Sequence, residues 1–249
     1  MKGRISSLAV AMSVSFAAPA ALAQQGTTFA TAGTLAVGAE RLFGFTHTTI
    51  KVEDDTPPPT RTNTTSLNTF SVLGKTPFST IPISSPYTTP RVGIDYFIID
   101  GLSLGGSLTY IGQSGEEEQE VPGQPTENAD IDSASGFLIS PRVGYGIMFT
   151  PIIGLWPRGG ITYFTVNVDN RNGQGVKTSE TTLNGLALSV EVPLILSPID
   201  HVAFTVGPSL DFPLSGKVEN DPVDPADPTT ENKLKFTDIG INAGMLVWF

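Results

Sequence analysis

Cysteine is absent from the 249 residues, so a disulfide framework, a thiolate metal site and a cysteine nucleophile are all excluded. Histidine is nearly absent, with only His47 and His201 available as imidazole acids or bases. Basic side chains are scarce, 14 against 24 acidic ones, and the net charge of −10 is opposite in sign to what nucleic-acid phosphates attract. Nucleic acid is therefore not expected as a partner. Also missing is any run of about eighteen apolar residues, so no helix of this chain is expected to span a bilayer. Membrane insertion, if it occurs, has to use strands, which satisfy their backbone groups by closing on one another.

At the amino terminus Lys2 and Arg4 precede a mainly apolar run, Ile5 to Ala18, and then Ala21-Leu22-Ala23. This is the pattern of a cleaved secretory signal peptide, residues 1–23, which is set aside from the fold. Removing Lys2 and Arg4 lowers the 14 basic residues by two against an unchanged 24 acidic ones, and the net charge deepens from −10 to −12. Residues 24–34 read as a short polar leader on the periplasmic side.

From Leu35 onward apolar residues fall at every second position, the period of a strand with one greasy face. Eight such segments are expected: Leu35–Val52, Tyr87–Ile99, Leu102–Gln113, Phe137–Phe149, Leu155–Asp169, Thr181–Leu196, Val202–Lys217 and the closing segment to Phe249. Arg41 interrupts the outward face of the first, which a bulge would repair. In the fifth, Ile161 and Tyr163 compete with Phe164, Val166 and Val168, so either the strand bulges or its upper half stands outside lipid. Long polar loops at about 53–83, 114–132, 170–177 and 218–232 alternate with short turns such as Asp100-Gly101. The second loop is strongly acidic through Glu116, Glu117, Glu118 and Glu120, and the first reads partly as a hairpin. Alternating long loops and short turns with an even strand count, apolar side out, point to an eight-stranded antiparallel up-and-down transmembrane β-barrel over residues 35–249. A soluble barrel of the lipocalin kind would show the opposite sense.

The last strand, Asp238 to Phe249, carries Ile239, Ile241, Ala243, Met245, Val247 and Phe249 on one face and Asp238, Gly240, Asn242, Gly244, Leu246 and Trp248 on the other. It resembles the terminal strand of bacterial outer-membrane β-barrels, and the whole pattern resembles the OmpA/OmpX-like eight-stranded superfamily. The resemblance implies a Gram-negative outer-membrane address. It also implies that Ile241, Met245, Val247 and Phe249 form the signal read by the barrel-assembly machinery, and that the barrel's centre is filled by side chains. A peptidoglycan-binding extension is not expected after Phe249.

Inward positions gather Glu40, Arg91, Asp95, Arg142, Arg158, Glu191, Asp211 and Asp238. Three arginines do not balance five carboxylates, so lumen water, a cation or a protonated carboxylate is expected to make up the difference. An eight-stranded barrel is only just wide enough for its own side chains, which favours a plugged lumen. Inward glycines (Gly38, Gly93, Gly105, Gly144, Gly207, Gly240, Gly244) keep open the alternative of a narrow polar conduit. Phe43, Tyr110, Phe137, Tyr163 and Phe212 fall at the loop end, and Tyr96, Phe149, Phe204 and Phe249 at the turn end, where aromatic girdles belong. Trp156 and Trp248 share the inward phase near the turn end and could stopper that mouth.

His47 and His201 are expected at opposite ends of a belt about 25 Å tall, too far apart to share a site. Asp221, Asp224 and Asp227 lack the spacing and the glycine of a calcium loop, and no metal or cofactor is expected. The expected role is non-enzymatic, structural or surface-interacting, for a monomer whose partners are outer-membrane lipids, lipopolysaccharide and the assembly machinery. The alternatives are a small pore or carrier for ions or small solutes and, further off, a lipid-modifying barrel enzyme.

Overall fold

A computed structural model describes residues 28–54, 61–73, 85–119, 127–130, 132–172, 174–224 and 226–249, so residues 1–23, expected from the sequence to be a signal peptide, lie outside the described residues. Eight antiparallel strands close on themselves: β1 Leu35–Asp54, β2 Arg91–Phe97, β3 Leu102–Gln113, β4 Ser133–Tyr145, β5 Arg158–Arg171, β6 Lys177–Glu191, β7 Val202–Pro222 and β8 Thr230–Trp248. Each pairs with its neighbours in sequence, and the circle is completed where β1 pairs with β8. Short strands at the turn end, Ile147–Met148, Ile153–Leu155 and Leu194–Ile199, prolong β4, β5 and β6. No helix among the described residues is long and apolar enough to cross a membrane.

The alternation in sequence becomes alternation of burial, shown by β2, whose residues run buried and exposed in strict turn from Arg91 to Phe97. The exposed set is the apolar one. Val92, Ile94, Leu108, Leu188, Phe204 and Ile241 are exposed on the outside, while Arg91, Asp95, Arg142, Asp211 and Asp238 are buried within. Water would penalise such an exterior and hydrocarbon would not, so this barrel is built for a bilayer.

The strands are longer than a membrane needs. β1, β7 and β8 have 20, 21 and 19 residues. At about 3.3 Å per residue and a tilt of about 40° they climb roughly 50 Å, twice the height of the apolar belt. In the upper half the sense reverses. On β5 the register with β6 runs unbroken from Arg158 to Asn170, so the strand does not bulge within the belt. Ile161 and Tyr163 face lipid, whereas Phe164, Val166 and Val168 face inward. Above Tyr163 the outer positions, Thr165, Asn167 and Asp169, are polar, as befits strand standing clear of hydrocarbon.

Several sequence-based boundaries shift for the same reason. The first loop holds a strand, Arg61–Val72, that pairs with the upper part of β1, above the place where β2 pairs with its lower part. The second strand begins at Arg91, not Tyr87. Residues 86–88 form a short 3-10 turn buried inside the barrel, because Pro86 and Pro90 favour a turn and the aromatic ring finds apolar company there. Part of the acidic loop is a hairpin, Glu116–Gln119 with Glu127–Asp130; Glu120 lies outside the described residues. The third and fourth loops shrink, since β5 and β6 extend to Arg171 and from Lys177, and β7 and β8 extend to Pro222 and from Thr230.

Candidate functional site

The interior is stacked in three tiers, and each is positioned by the inward phase of several strands. The lowest is aromatic. Trp156 and Trp248 are buried there with Phe97, and at their centre sits Phe29, 2% exposed, from the leader. Its ring meets Phe97, Trp156 and Trp248 edge-on at centroid distances of 5.2, 5.3 and 5.5 Å. The leader is thus not merely a polar tail. Ala32 N–H donates to Asp100 Oδ1 and Gly101 N–H donates to the Ala30 carbonyl, which fixes Phe29 in the turn-end mouth. The signal in sequence was one aromatic in an otherwise polar leader.

The middle tier is ionic. Arg142 donates to both oxygens of Glu40, at 2.7 and 2.6 Å, and to both of Asp95, at 3.0 and 2.5 Å. Arg158 bridges Glu40 and Glu191 at 2.6 and 2.7 Å, and its guanidinium lies 4.5 Å from the Trp156 ring centre. Arg41 joins Glu191 at 2.6 Å and Asp211 at 2.8 Å. Arg41 does not spoil the outer face. It sits at φ 53 in a bulge where the β1–β8 register breaks between Ala39 and Phe43, so the consecutive residues Glu40 and Arg41 both point inward. This fourth arginine corrects the expected count of three against five.

Arg91 lies across the ladder from Glu40 but gives its Nη2 to the Tyr87 carbonyl, 2.8 Å away, and Arg41 donates to the same oxygen. The fifth carboxylate, Asp238, accepts from the hydroxyls of Thr48 and of Ser85, the latter at 2.6 Å. The turn from Ser85 to Thr88 therefore ties an arginine on one side to an aspartate on the other. Gly93 leaves the room this requires, since a Cβ there would stand 2.5 Å from Glu40 Oε1 and 2.7 Å from Arg142 Nη2.

The upper tier is apolar. Tyr87, Phe164 and Phe236 meet at ring distances of 5.3, 5.9 and 6.4 Å, enclosed by Leu138, Val166 and Leu234. Three cavities in and beside the ionic tier, lined by Asp95 and Trp156, by Arg91 and Ser140, and by Pro193 and Asn242, are water-sized, with volumes of about 10, 10 and 20 Å³.

The remaining sequence-selected residues lie elsewhere. Ile241 and Met245 face outward from β8, exposed by 58% and 42%, while Val247 and Phe249 are half-buried. Phe249 exchanges both backbone hydrogen bonds with Leu35, each 3.0 Å, and so helps to close the circle. His47 hydrogen-bonds Asn68 near the outer end, and His201 Nδ1 lies 2.8 Å from the Trp248 carbonyl oxygen. Along β8 their levels, Ile239 and Trp248, are separated by about 30 Å. Asp221 accepts from the Thr229 hydroxyl and Asp224 from the Ala226 N–H, which are turn contacts. Above the belt Lys177 stands 2.7 Å from both Asp169 and Glu180, and the hydrogen bond to Asp169 leads those that raise its pKa above the usual lysine value.

No protein-family model and no curated protein matches the chain. Among solved structures it is similar to the outer membrane protein OprG from Pseudomonas aeruginosa, with 12% identity and a TM-score of 0.52 over 88% of this chain and 97% of that one. It is also similar to the outer membrane protein AlkL, determined in DMPC bilayers, with 10% identity and a TM-score of 0.51 over 90% of this chain and 94% of that one. At such identities the likeness is one of fold: a closed eight-stranded barrel of the outer-membrane kind.

Proposed function

We propose that this chain, an eight-stranded outer-membrane β-barrel by fold, is a sealed, non-enzymatic wall whose raised outer half presents a rigid surface outside the cell. The observation that carries the reading is the filled lumen: among the described residues an aromatic stopper, a hydrogen-bonded ionic tier and an apolar tier stand in series, and the cavities at the ionic tier are water-sized. An ion crossing this stack would have to part Arg142 from Glu40 and Asp95, whose pairing offsets the desolvation of all three. The upper tier supports the display role, because strands that rise above the bilayer around an apolar core form a stiff support rather than loose loops.

The assembly machinery would read the outward face of β8 through Ile241, Met245, Val247 and Phe249, and lipids of the outer membrane, lipopolysaccharide among them, would surround the belt. A ladder that closes within one chain suits a monomer. The two histidines lie at levels about 30 Å apart along β8 and do not share a site, so no histidine pair is available for lipid modification. Planar-bilayer recording of the mature barrel is the test. Silence at all voltages supports the sealed wall, and stepwise conductance overturns it in favour of a small pore.

A further inference from the structure

Asp211 on β7 and Asp238 on β8 stand directly opposite one another in the β7–β8 ladder, both turned inward, 0% and 2% exposed. Side chains paired in this way lie about 5 Å apart at their Cβ atoms. Two carboxyl groups so close in a dry interior do not both stay charged unless each has a cation of its own. Only one of them has. Arg41 donates to both oxygens of Asp211, at 2.8 and 3.3 Å, and the Ser189 hydroxyl adds a third bond at 2.5 Å. Asp238 meets the hydroxyls of Ser85 and of Thr48, its neighbour across the β1–β8 ladder, and among the described residues it forms no ion pair with an arginine or lysine.

The sum of charges within the barrel points the same way. Arg41, Arg91, Arg142 and Arg158 face Glu40, Asp95, Glu191, Asp211 and Asp238, four positive groups against five negative ones. One proton brings the sum to zero. Water does not alter it, and none of the three cavities at the ionic tier, where a cation would need room, is lined by either aspartate. The charged and titratable groups around the pair are Arg41 from β1, Arg91 from β2, Glu191 from β6 and Tyr87 from the turn. Among them Arg41 alone bonds to either aspartate, and it also holds Glu191 and the Tyr87 carbonyl. Arg91 gives its Nη2 to that same carbonyl. The proton therefore belongs to Asp238, in one of its two bonds to hydroxyl groups.

We infer that Asp211 and Asp238 are a carboxylate and a carboxylic acid with one proton between them, which Asp238 keeps well past the pH at which a solvated aspartic acid releases it, and that this proton seats the turn Ser85–Thr88 in the lumen. Ser85 Oγ lies 2.6 Å from Asp238 Oδ2, and among the described residues the turn is the one neighbour of Asp238 that no ladder holds. When Asp238 ionises the strands cannot draw apart, because β7 and β8 are paired without a break from Val202 to Asp211 and β8 is paired with β1 at and around Thr48. The turn lifts instead and lets water reach the new charge. The pair is thus a pH-sensitive latch, closed in mild acid and released as the pH rises. The charges of the lumen require the proton whether or not the barrel conducts.

The test uses the mature barrel in lipid vesicles and Asp238→Asn, which copies the shape and neutrality of the protonated acid. Infrared spectra at about pH 5.5, where a solvated aspartic acid is almost wholly ionised, are expected to show the carbonyl stretch of a buried carboxylic acid in the wild type and not in Asp238→Asn. An acid protonated in the fold and ionised in the unfolded chain supports folding fully below about pH 4 and progressively less above it. The ratio of the wild-type folding constant to that of Asp238→Asn is therefore expected to fall with rising pH, by up to about tenfold per unit, until the folded protein releases the proton. Asp211→Asn, which takes a carboxylate from Arg41, is expected to weaken folding where Asp238→Asn does not. Hydrogen exchange reads the turn: the Thr88 amide is expected to exchange faster in the wild type than in Asp238→Asn in mild alkali and equally in mild acid. Absence of the infrared band, its persistence in Asp238→Asn, or a ratio of folding constants that does not change with pH overturns the shared proton. Equal exchange of Thr88 in the two proteins in mild alkali overturns the latch.

Discussion

Arg41 and Arg91 donate to one and the same acceptor, the carbonyl oxygen of Tyr87. Two guanidinium groups converge on a single backbone oxygen because the turn Ser85–Thr88 is lowered into the barrel until it meets the ionic tier. Arg41 is the better anchored of the two, with Glu191 and Asp211 as further partners.

Replacing Arg41 by Ala is therefore expected to be among the most damaging single changes in the lumen. Among the described residues it leaves Asp211, wholly buried, with the Ser189 hydroxyl as its side-chain donor, and it removes one of the two arginines paired with Glu191. A loss of about 3–5 kcal/mol is expected. Urea titration of folding into lipid vesicles measures it, and a loss under about 1 kcal/mol would remove Arg41 from the network.

Phe29→Ala should weaken the barrel by about 3 kcal/mol, as for other large-to-small changes in apolar cores. It should nevertheless leave bilayer recordings silent, since the ionic tier closes the lumen above the stopper. Conductance appearing in this variant would make Phe29 the seal and the charged tier a passage.

The outward sense of the belt is tested by Leu188→Arg, which puts a charge into hydrocarbon next to the buried Ser189. A penalty of about 2–4 kcal/mol on vesicle folding is expected. Unimpaired folding would mean that Leu188 does not face lipid.

Gly93→Ala inserts a methyl group among Glu40 and Arg142 where no free space exists. The guanidinium has to shift from one of its two carboxylates, and a loss of about 1–3 kcal/mol is expected. Heat-modified migration on gels follows it directly, with an unshifted transition as the contrary result.

How much of this was legible in the sequence depended on distance along the chain. Period-two alternation displayed β2, β3 and β4 and the lipid-facing set of β8 plainly, because side-chain direction in a strand is decided residue by residue. The inward phase of Trp156 and Trp248 was legible on the same ground. Arg41 was legible only as a conflict: its parity is outward and a bulge was the expected repair, which the break of the β1–β8 register bears out, but its partners in the ionic tier were not readable. Phe164, Val166 and Val168 conflicted with a rule that holds inside lipid and is reversed above it. Phe29 and Tyr87 belong to no strand, so no period could point to them.

Sequence alone determined the architecture, an apolar exterior around a polar inner face, since that follows from alternation and strand length, which are local properties. Tertiary structure decided what the interior is. Whether a narrow lumen is open depends on which groups from different strands, turns and the leader meet in its cross-section. Those meetings, Phe29 with Trp156 and Trp248, Tyr87 with Phe164 and Phe236, Arg41 with Glu191 and Asp211, join residues far apart along the chain and exist only once the circle has closed.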